Sequence, residues 1–382
     1  MLLYAIVYDM GFSFKELFSL KELSFFKKKG SVLGVDIGSS GIKVVQLRKE
    51  KERAILETYG EIAVGPYANL GVGQSAKLSE EKVVEVLKDV LREANVKSKN
   101  ASVSIALKSS FVTIIDIPVV NGKNISEIIE LEARRYIPLS VSEVKMDWWI
   151  LPEVVERSMN NGSDDGNNKR KFAKVLLVAI HKDIISKYKE IISMAGLDIS
   201  SFEIESFSMI RASTKRETSP VAVMDFGASS IKMSIVDFGI MMASHSITKG
   251  SQDLSIAISH SLGVDFNRAE EMKREVGLSD LPEHKEIVSI IEPMLGYIFS
   301  EAETIIKNYQ KKRGRSINRV ILTGGGSLLK GLVPFAVKQL AIEAELSNPF
   351  SRTEYPAFLN ESLKESGPIF SVAIGLALRG LQ

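Results

Sequence analysis

VLGVDIGSSGIKVVQL, residues 32–47, is the stretch on which the reading of this chain turns. Two apolar runs rich in Val and Ile flank Gly38-Ser39-Ser40-Gly41. That pattern predicts two buried antiparallel strands joined by a tight turn that glycine permits. The first run ends in Asp36 and the second carries Lys43. Such a turn gathers backbone N–H groups and small hydroxyls at one spot. With a lysine beside them and a carboxylate suited to a hard cation, they fit a polyphosphate with Mg²⁺. The plainer alternative is a surface hairpin with a polar tip.

The pattern returns at residues 224–236, MDFGASSIKMSIV. Aligned without gaps, Asp36 matches Asp225, Gly38 matches Gly227, Ser40 matches Ser229, Ile42 matches Ile231 and Lys43 matches Lys232. The two copies lie too far apart for a solenoid repeat. They predict one supersecondary unit used in each half of a duplicated α/β protein, with two hairpins meeting across a cleft. A third stretch, ILTGGGSLLKGL at 321–332, reads strand, triple glycine, helix. Its glycines would let backbone lie flush against a flat ligand, and the helix start favours an anion. A plain strand-to-helix turn also likes glycine. Neither a P-loop nor a G-x-G-x-x-G fingerprint is present.

The 382 residues suffice for two domains or four subdomains, and 45% hydrophobic with 25% charged residues is an ordinary globular composition. A net charge of +2 and no basic stripe with interleaved aromatics predict no nucleic-acid partner. The absence of cysteine excludes disulfides, thiolate zinc sites and a cysteine nucleophile. The four histidines, His181, His245, His260 and His284, lack metal-ligand spacing. No apolar run reaches transmembrane length and the start lacks a basic, then long apolar, signal pattern, so a cytoplasmic location is expected. Residues 12–29 mix Phe and Leu with lysines. They read as a basic amphipathic helix for a membrane or partner, or as an extension packed on the body.

Between the motifs, Ser79 should cap a helix over 80–94, and 101–117 reads as a strand pair. Asn124 and Glu127 resemble a capping box for a helix to about Tyr136. Residues 144–151 and 172–180 should pair around a polar loop, 156–171. A helix over 181–195, closed by Gly196, precedes a strand that leads to Glu205. Glu270 and Lys273 fall three apart on a helix over 266–276. Pro293 either kinks a helical region over 283–312 or starts a second helix in it.

Two D-x-G hairpins followed by a late TGGGS turn resemble the actin/Hsp70/sugar-kinase ATP-binding superfamily. The opening hairpin and the placement of the second are most similar to its PilM branch, the actin-like proteins of type IV pilus assembly, which is itself similar to the division protein FtsA. The resemblance covers about residues 25–382. It implies an α/β, actin-like (ribonuclease H-like) duplicated fold, with two lobes around a nucleotide cleft and an FtsA-like extra subdomain. By it, residues 1–30 are an extension. Subdomain 1A comprises 31–100, 196–218 and 352–382, and 1C spans 101–195. Subdomain 2A comprises 219–250 and 317–351, and the helical 2B spans 251–316.

The resemblance further implies ATP or ADP with Mg²⁺ as cofactors. Asp36 would act on Mg²⁺ or its waters, with Asp225 opposite it, and Gly38, Ser39, Ser40 and Lys43 would hold the β- and γ-phosphates. Asp225, Gly227, Ser229 and Ser230 would form the second phosphate loop. Gly324, Gly325 and Gly326 would lie against adenine and ribose, and Glu270 with Lys273 would grip the ribose hydroxyls. Without the resemblance that pair reads as a surface ion pair. Glu205 would orient an attacking water. Two departures bear on hydrolysis: DFGASSI stands where many members have D-x-G-x-G-T, and Glu205 is followed by Ser-Phe. The expected role is a scaffold at the cytoplasmic face of the inner membrane, a slow ATPase at most. It would hold the N-terminal peptide of PilN in a 1A/1C groove, link the PilN–PilO complex to the pilus motor ATPase, and have scope for self-association. An FtsA-like membrane-associated filament protein and a small-molecule kinase are the alternatives.

Overall fold

The computed structural model describes residues 30–118, 125–138, 140–151, 172–215, 217 and 219–382. The expected helix at 12–29, the polar loop at 156–171 and the cap at Asn124 lie outside them.

The first lobe begins with β1 (Val32–Ile37), β2 (Gly41–Glu50) and β3 (Arg53–Ala63), then α1 (Glu80–Glu93) and β4 (Asn100–Ile105). Ser79 caps α1 by accepting from the Lys82 amide at 3.4 Å, satisfying one of its free N–H groups. A small unit follows: β5 (Ser110–Pro118), α2 (Ile125–Ala133), β6 (Val144–Ile150) and β7 (Phe172–His181). Then come α3 (Lys182–Met194), β8 (Asp198–Ile204) and α4 (Glu205–Ser213). The second lobe is built from β9 (Val221–Phe226), β10 (Ile231–Asp237), β11 (Ile240–Ile247), α5 (Ser251–Leu262), α6 (Phe266–Val276), α7 (Lys285–Arg313), β12 (Arg319–Thr323), α8 (Leu332–Leu340) and β13 (Glu343–Leu346). Helices α9 (Asn360–Ser366) and α10 (Ser371–Gly380) complete the described chain.

The two large sheets repeat one topology. Their orders are β3-β2-β1-β4-β8 and β11-β10-β9-β12-β13. In each, three antiparallel strands come first and two parallel strands follow. The central strands are buried on both faces, which suits their Val and Ile content. The duplication read from the two hairpins is therefore a duplication of whole sheets.

The expected strand pair over 101–117 is corrected. β4 joins β1 and β8 in the large sheet, whereas β5 pairs with β7 in a separate sheet ordered β5-β7-β6. A turn at Leu107–Ser109 separates them. β6 and β7 pair as expected. α2 stops at Ala133 and a turn, not helix, carries the chain to Tyr136. α7 runs unbroken through the exposed Pro293, where the lost N–H costs one hydrogen bond on the solvent side. Gly314, with φ +64°, caps it.

Helices α4 and α10 pack where the lobes meet. Met209 and Ile210 of α4 and Val372 and Leu376 of α10 share a core with Val221 and Val223 of β9 and Ile321 of β12. On its other side, α10 packs Ala373, Ile374 and Ala377 against Val45 and Leu47 of β2. The helices approach so closely that a Cβ on Gly375 would run into the Ser208 carbonyl oxygen.

Candidate functional site

Both hairpins close in the same way. The Gly38 amide donates to the Gly41 carbonyl at 3.1 Å, and the Gly227 amide donates to the Ser230 carbonyl at 3.2 Å. Asp36 stands in register with Lys43, and Asp225 with Lys232. The tips face each other: the Ser39 and Ser229 hydroxyls lie 3.3 Å apart. The cleft between the lobes measures about 610 Å³. Its lining includes Asp36, Gly38, Ser39, Ser40 and Lys43 from the first hairpin and Asp225, Gly227, Ser229 and Ser230 from the second. Glu205, Glu270, Lys273, Gly324, Gly325 and Gly326 complete it, so every site residue expected from sequence lies on one cavity.

Asp36 is buried, and Ser104 at the end of β4 donates to its Oδ1 at 2.9 Å. Burial pushes its carboxyl above the ordinary value, against the opposing pull of Lys43 and the Ser104 bond. Lys43 Nζ lies 3.4 Å from Glu61 Oε1. Burial alone would lower this ammonium, but Glu61, Asp36 and Asp225 outweigh it and hold it raised. Glu205 opens α4. Its Oε1 accepts from the Leu107 amide at 2.7 Å and its Oε2 from Lys232 Nζ at 2.8 Å. Lys232 also reaches Asp225 Oδ2 at 3.2 Å. Desolvation raises the Glu205 carboxyl more than Lys232 lowers it.

In the third motif the Gly324 amide donates to the Pro368 carbonyl at 3.0 Å, tying the turn to the start of the C-terminal segment. Gly324 has φ +80°, and a Cβ there would strike Asp225 Oδ1. Gly325 differs: a Cβ would meet nothing within 4 Å, so packing does not demand glycine there. On α6, Glu270 and Lys273 are not a surface pair. They are buried and bonded to each other at 2.6 Å. Ser255 and Arg274 donate to the remaining lone pairs of Glu270 at 2.5 and 2.7 Å. Burial would raise the Glu270 carboxyl, but Lys273 and these bonds outweigh it and hold it low. In this state the two residues expected at a ribose grip each other.

Several lining residues escaped the sequence reading. Lys232 was visible as the partner of Lys43 in the repeat, a signal for a second cation at the site. Arg274 follows Lys273 directly. Glu61 and the loop around Val72 and Gly73 carry no local signal. They reach the cleft through tertiary folding, with the Ser75 amide donating across it to Gln252 Oε1 at 2.8 Å.

The donor set suits a phosphate-bearing ligand that brings its own cation. Among the described residues no three His, Cys, Asp or Glu side chains converge into a metal cage. Two facing aspartates suit Mg²⁺ when phosphates and waters supply most of its ligands, and the lysines and turn amides suit the phosphates. Among the described residues, too, no helix is long and apolar enough to cross a membrane.

Comparison with known proteins agrees with this architecture. The chain matches FtsA from two strains of Helicobacter pylori at 25% identity over 229 residues, 53% of this chain and 46% of each relative. It thus spans about half the length of the curated relatives it matches. A solved PilM–PilN type IV pilus biogenesis complex contains a chain that superposes with a TM-score of 0.76 at 24% identity, covering 93% of this chain and 100% of that one. The ethanolamine utilization protein EutJ from Carboxydothermus hydrogenoformans gives 0.52 at 15% identity, covering 92% and 90%. MreB5 of Spiroplasma citri bound to AMPPNP gives 0.51 at 9% identity, covering 92% and 96%. These likenesses show an actin-like, two-lobed fold. The sequence model of the family described as type IV pilus assembly protein PilM matches residues 34–381, nearly the whole chain, and the chain belongs to that family.

Proposed function

We propose that this protein is an ATP-binding scaffold of type IV pilus assembly. The observation that carries the reading is the convergence of the two hairpins, the glycine turn, Glu205 and the α6 pair on one cleft. Lys43, Ser39, Ser40, Ser229, Ser230 and the turn amides would hold the phosphates. Bound Mg²⁺ would neutralise phosphate charge, with Asp36 and Asp225 facing it through water. Gly325 keeps a wall of the cleft free of side chain, which supports a flat base lying against that backbone. MreB5, an actin-like neighbour, was solved with a nucleotide analogue.

The partner reading follows the family and the solved complex named for PilM and PilN. The extended N-terminal peptide of PilN would lie between the first large sheet and the β5–β7 unit, anchored by side chains in pockets. The large sheets would serve as subdomains 1A and 2A, the small unit as 1C, and α5–α7 as 2B. The scaffold would sit at the cytoplasmic face of the inner membrane, link PilN and PilO to the motor, and have scope to self-associate.

Isothermal titration with ATP-Mg²⁺ and with a synthetic PilN tail peptide tests both halves. Asp36→Ala and Lys43→Ala should each abolish ATP binding and leave the circular dichroism spectrum unchanged. Unaltered ATP affinity in both variants would refute the first phosphate loop. A peptide that does not bind to nucleotide-competent protein would refute the partner reading alone.

A further inference from the structure

The duplicated hairpins carry equivalent lysines that the fold uses differently. Among the described residues, the contacts of Lys43 are long, 3.4 Å to Glu61 and 3.5 Å to the Gly41 carbonyl. Lys232 makes two shorter ones, 2.8 Å to Glu205 Oε2 and 3.2 Å to Asp225 Oδ2. The Glu205 carboxylate is thereby engaged at both ends, because the Leu107 amide holds Oε1 at 2.7 Å. Leu107 opens the turn that leads into β5, so the amide is fixed by the chain path and not by a mobile side chain.

From this geometry we infer that Lys232 is a positioning residue that holds Glu205 out of use as a base, so that the cleft retains ATP in place of hydrolysing it quickly. The inference rests on the nucleotide reading above. In the reaction concerned, a water oxygen forms a bond to the γ-phosphorus. The bond from that phosphorus to the β–γ bridging oxygen breaks, and its electron pair leaves on ADP. The water's proton passes to Glu205. A carboxylate that accepts this proton needs basicity and a free lone pair directed at the water. An ammonium at 2.8 Å works against both: its N–H occupies the oxygen, and its charge offsets part of the basicity that burial confers. With Lys232 removed, Asp225 remains as a neighbouring charge, and it raises the proton affinity of Glu205. A positioned general base contributes roughly 10²–10⁴-fold to rate, so even partial release should be measurable.

The test measures two quantities on each protein: ATP affinity by fluorescence of a labelled ATP analogue, and single-turnover hydrolysis of radiolabelled ATP with Mg²⁺ at saturating protein. Lys232→Met should raise the hydrolysis rate at least tenfold. Lys232→Arg should restore the slow rate, and Lys232→Met combined with Glu205→Gln should lose the gain. Lys232→Gln serves if the methionine variant does not fold. A rate unchanged or lowered in a neutral variant that still binds ATP overturns the inference. A gain that survives Glu205→Gln also overturns it, because the effect would not pass through Glu205. If the unmodified protein binds no ATP, the nucleotide reading fails first and the inference falls with it, and the affinity measurement alone distinguishes that case.

Discussion

Glu203 offers the sharpest energetic test of how α4 and α10 are held against β8. It sits on β8, two residues before Glu205, with 0% exposure. Its Oε1 accepts from Arg211 Nη2 at 2.7 Å and from Arg379 Nη1 at 2.6 Å. Its Oε2 accepts from Arg211 Nη1 at 2.7 Å and from the Ser208 hydroxyl. One carboxylate thus holds β8, α4 and α10 together. Glu203→Ala leaves two largely buried guanidiniums without their counter-charge, a change that costs about 3–5 kcal/mol. An unfolding entropy of about 2.1 cal/mol/K per residue gives about 0.8 kcal/mol/K for this chain unfolding as one unit, so the melting temperature should fall by about 4–6 °C. Glu203→Gln keeps acceptor capacity but loses the charge, and should fall between. Burial alone would raise the Glu203 carboxyl, but Arg211, Arg379 and Ser208 outweigh it and hold it below its usual value of 4.5. With the folded value depressed, the stabilisation is full above the unfolded value and is lost as pH falls through the folded one. Calorimetry of wild type and Glu203→Ala should therefore show a gap that is constant near neutral pH and shrinks below about pH 4. A gap under about 1 °C at neutral pH, or one that does not shrink in acid, would refute this account.

Two glycines in one turn should respond in opposite ways. Gly324→Ala forces a side chain into φ +80° against the Asp225 carboxylate, and should cost about 1–3 kcal/mol in a urea melt. Gly325→Val meets open space, so the melt should be unchanged while titrated ATP affinity drops about tenfold, about 1.4 kcal/mol. Gly375→Ala drives α10 off α4 at the Ser208 carbonyl and should cost about 1–3 kcal/mol or more by urea denaturation.

The parts of the fold legible in sequence are those fixed by short-range chemistry. Asp-x-Gly turns, the Val and Ile runs beside them and the triple glycine each encode a backbone path, and their recurrence at 36–43 and 225–232 exposed the duplication. What stayed hidden depends on partners far along the chain. β4 and β5 look alike locally, yet β4 is claimed by β1 and β8 and β5 by β7. Ser104 holds Asp36 from 68 positions away, and nothing in either neighbourhood announces it. The spacing of Glu270 and Lys273 was readable. Their burial was not, because Ser255 of α5 and the loop at Gly73 create it.

Polar contacts join first-lobe groups to second-lobe groups at the cleft, among them Ser39 to Ser229, the Ser75 amide to Gln252, and Glu205 to Lys232. The first two are neutral hydrogen bonds with a net worth of about 0.5–1.5 kcal/mol each, so a ligand touching both hairpins can replace them at little cost. A ligand shifts the balance between open and closed only through its differential affinity for the two. Groups split between the lobes, Lys43 on one and Ser229 with Ser230 on the other, act on one ligand together only when the cleft is closed. The Glu205–Lys232 contact is different because it is charged and shielded. Removing Lys232 should weaken closure and free Glu205 at once, and these consequences separate by measurement. Weakened closure appears as lower ATP affinity, whereas a freed base appears as faster hydrolysis at saturation. A Lys232 variant that loses affinity but gains no rate would make the bridge a clasp between lobes and nothing more.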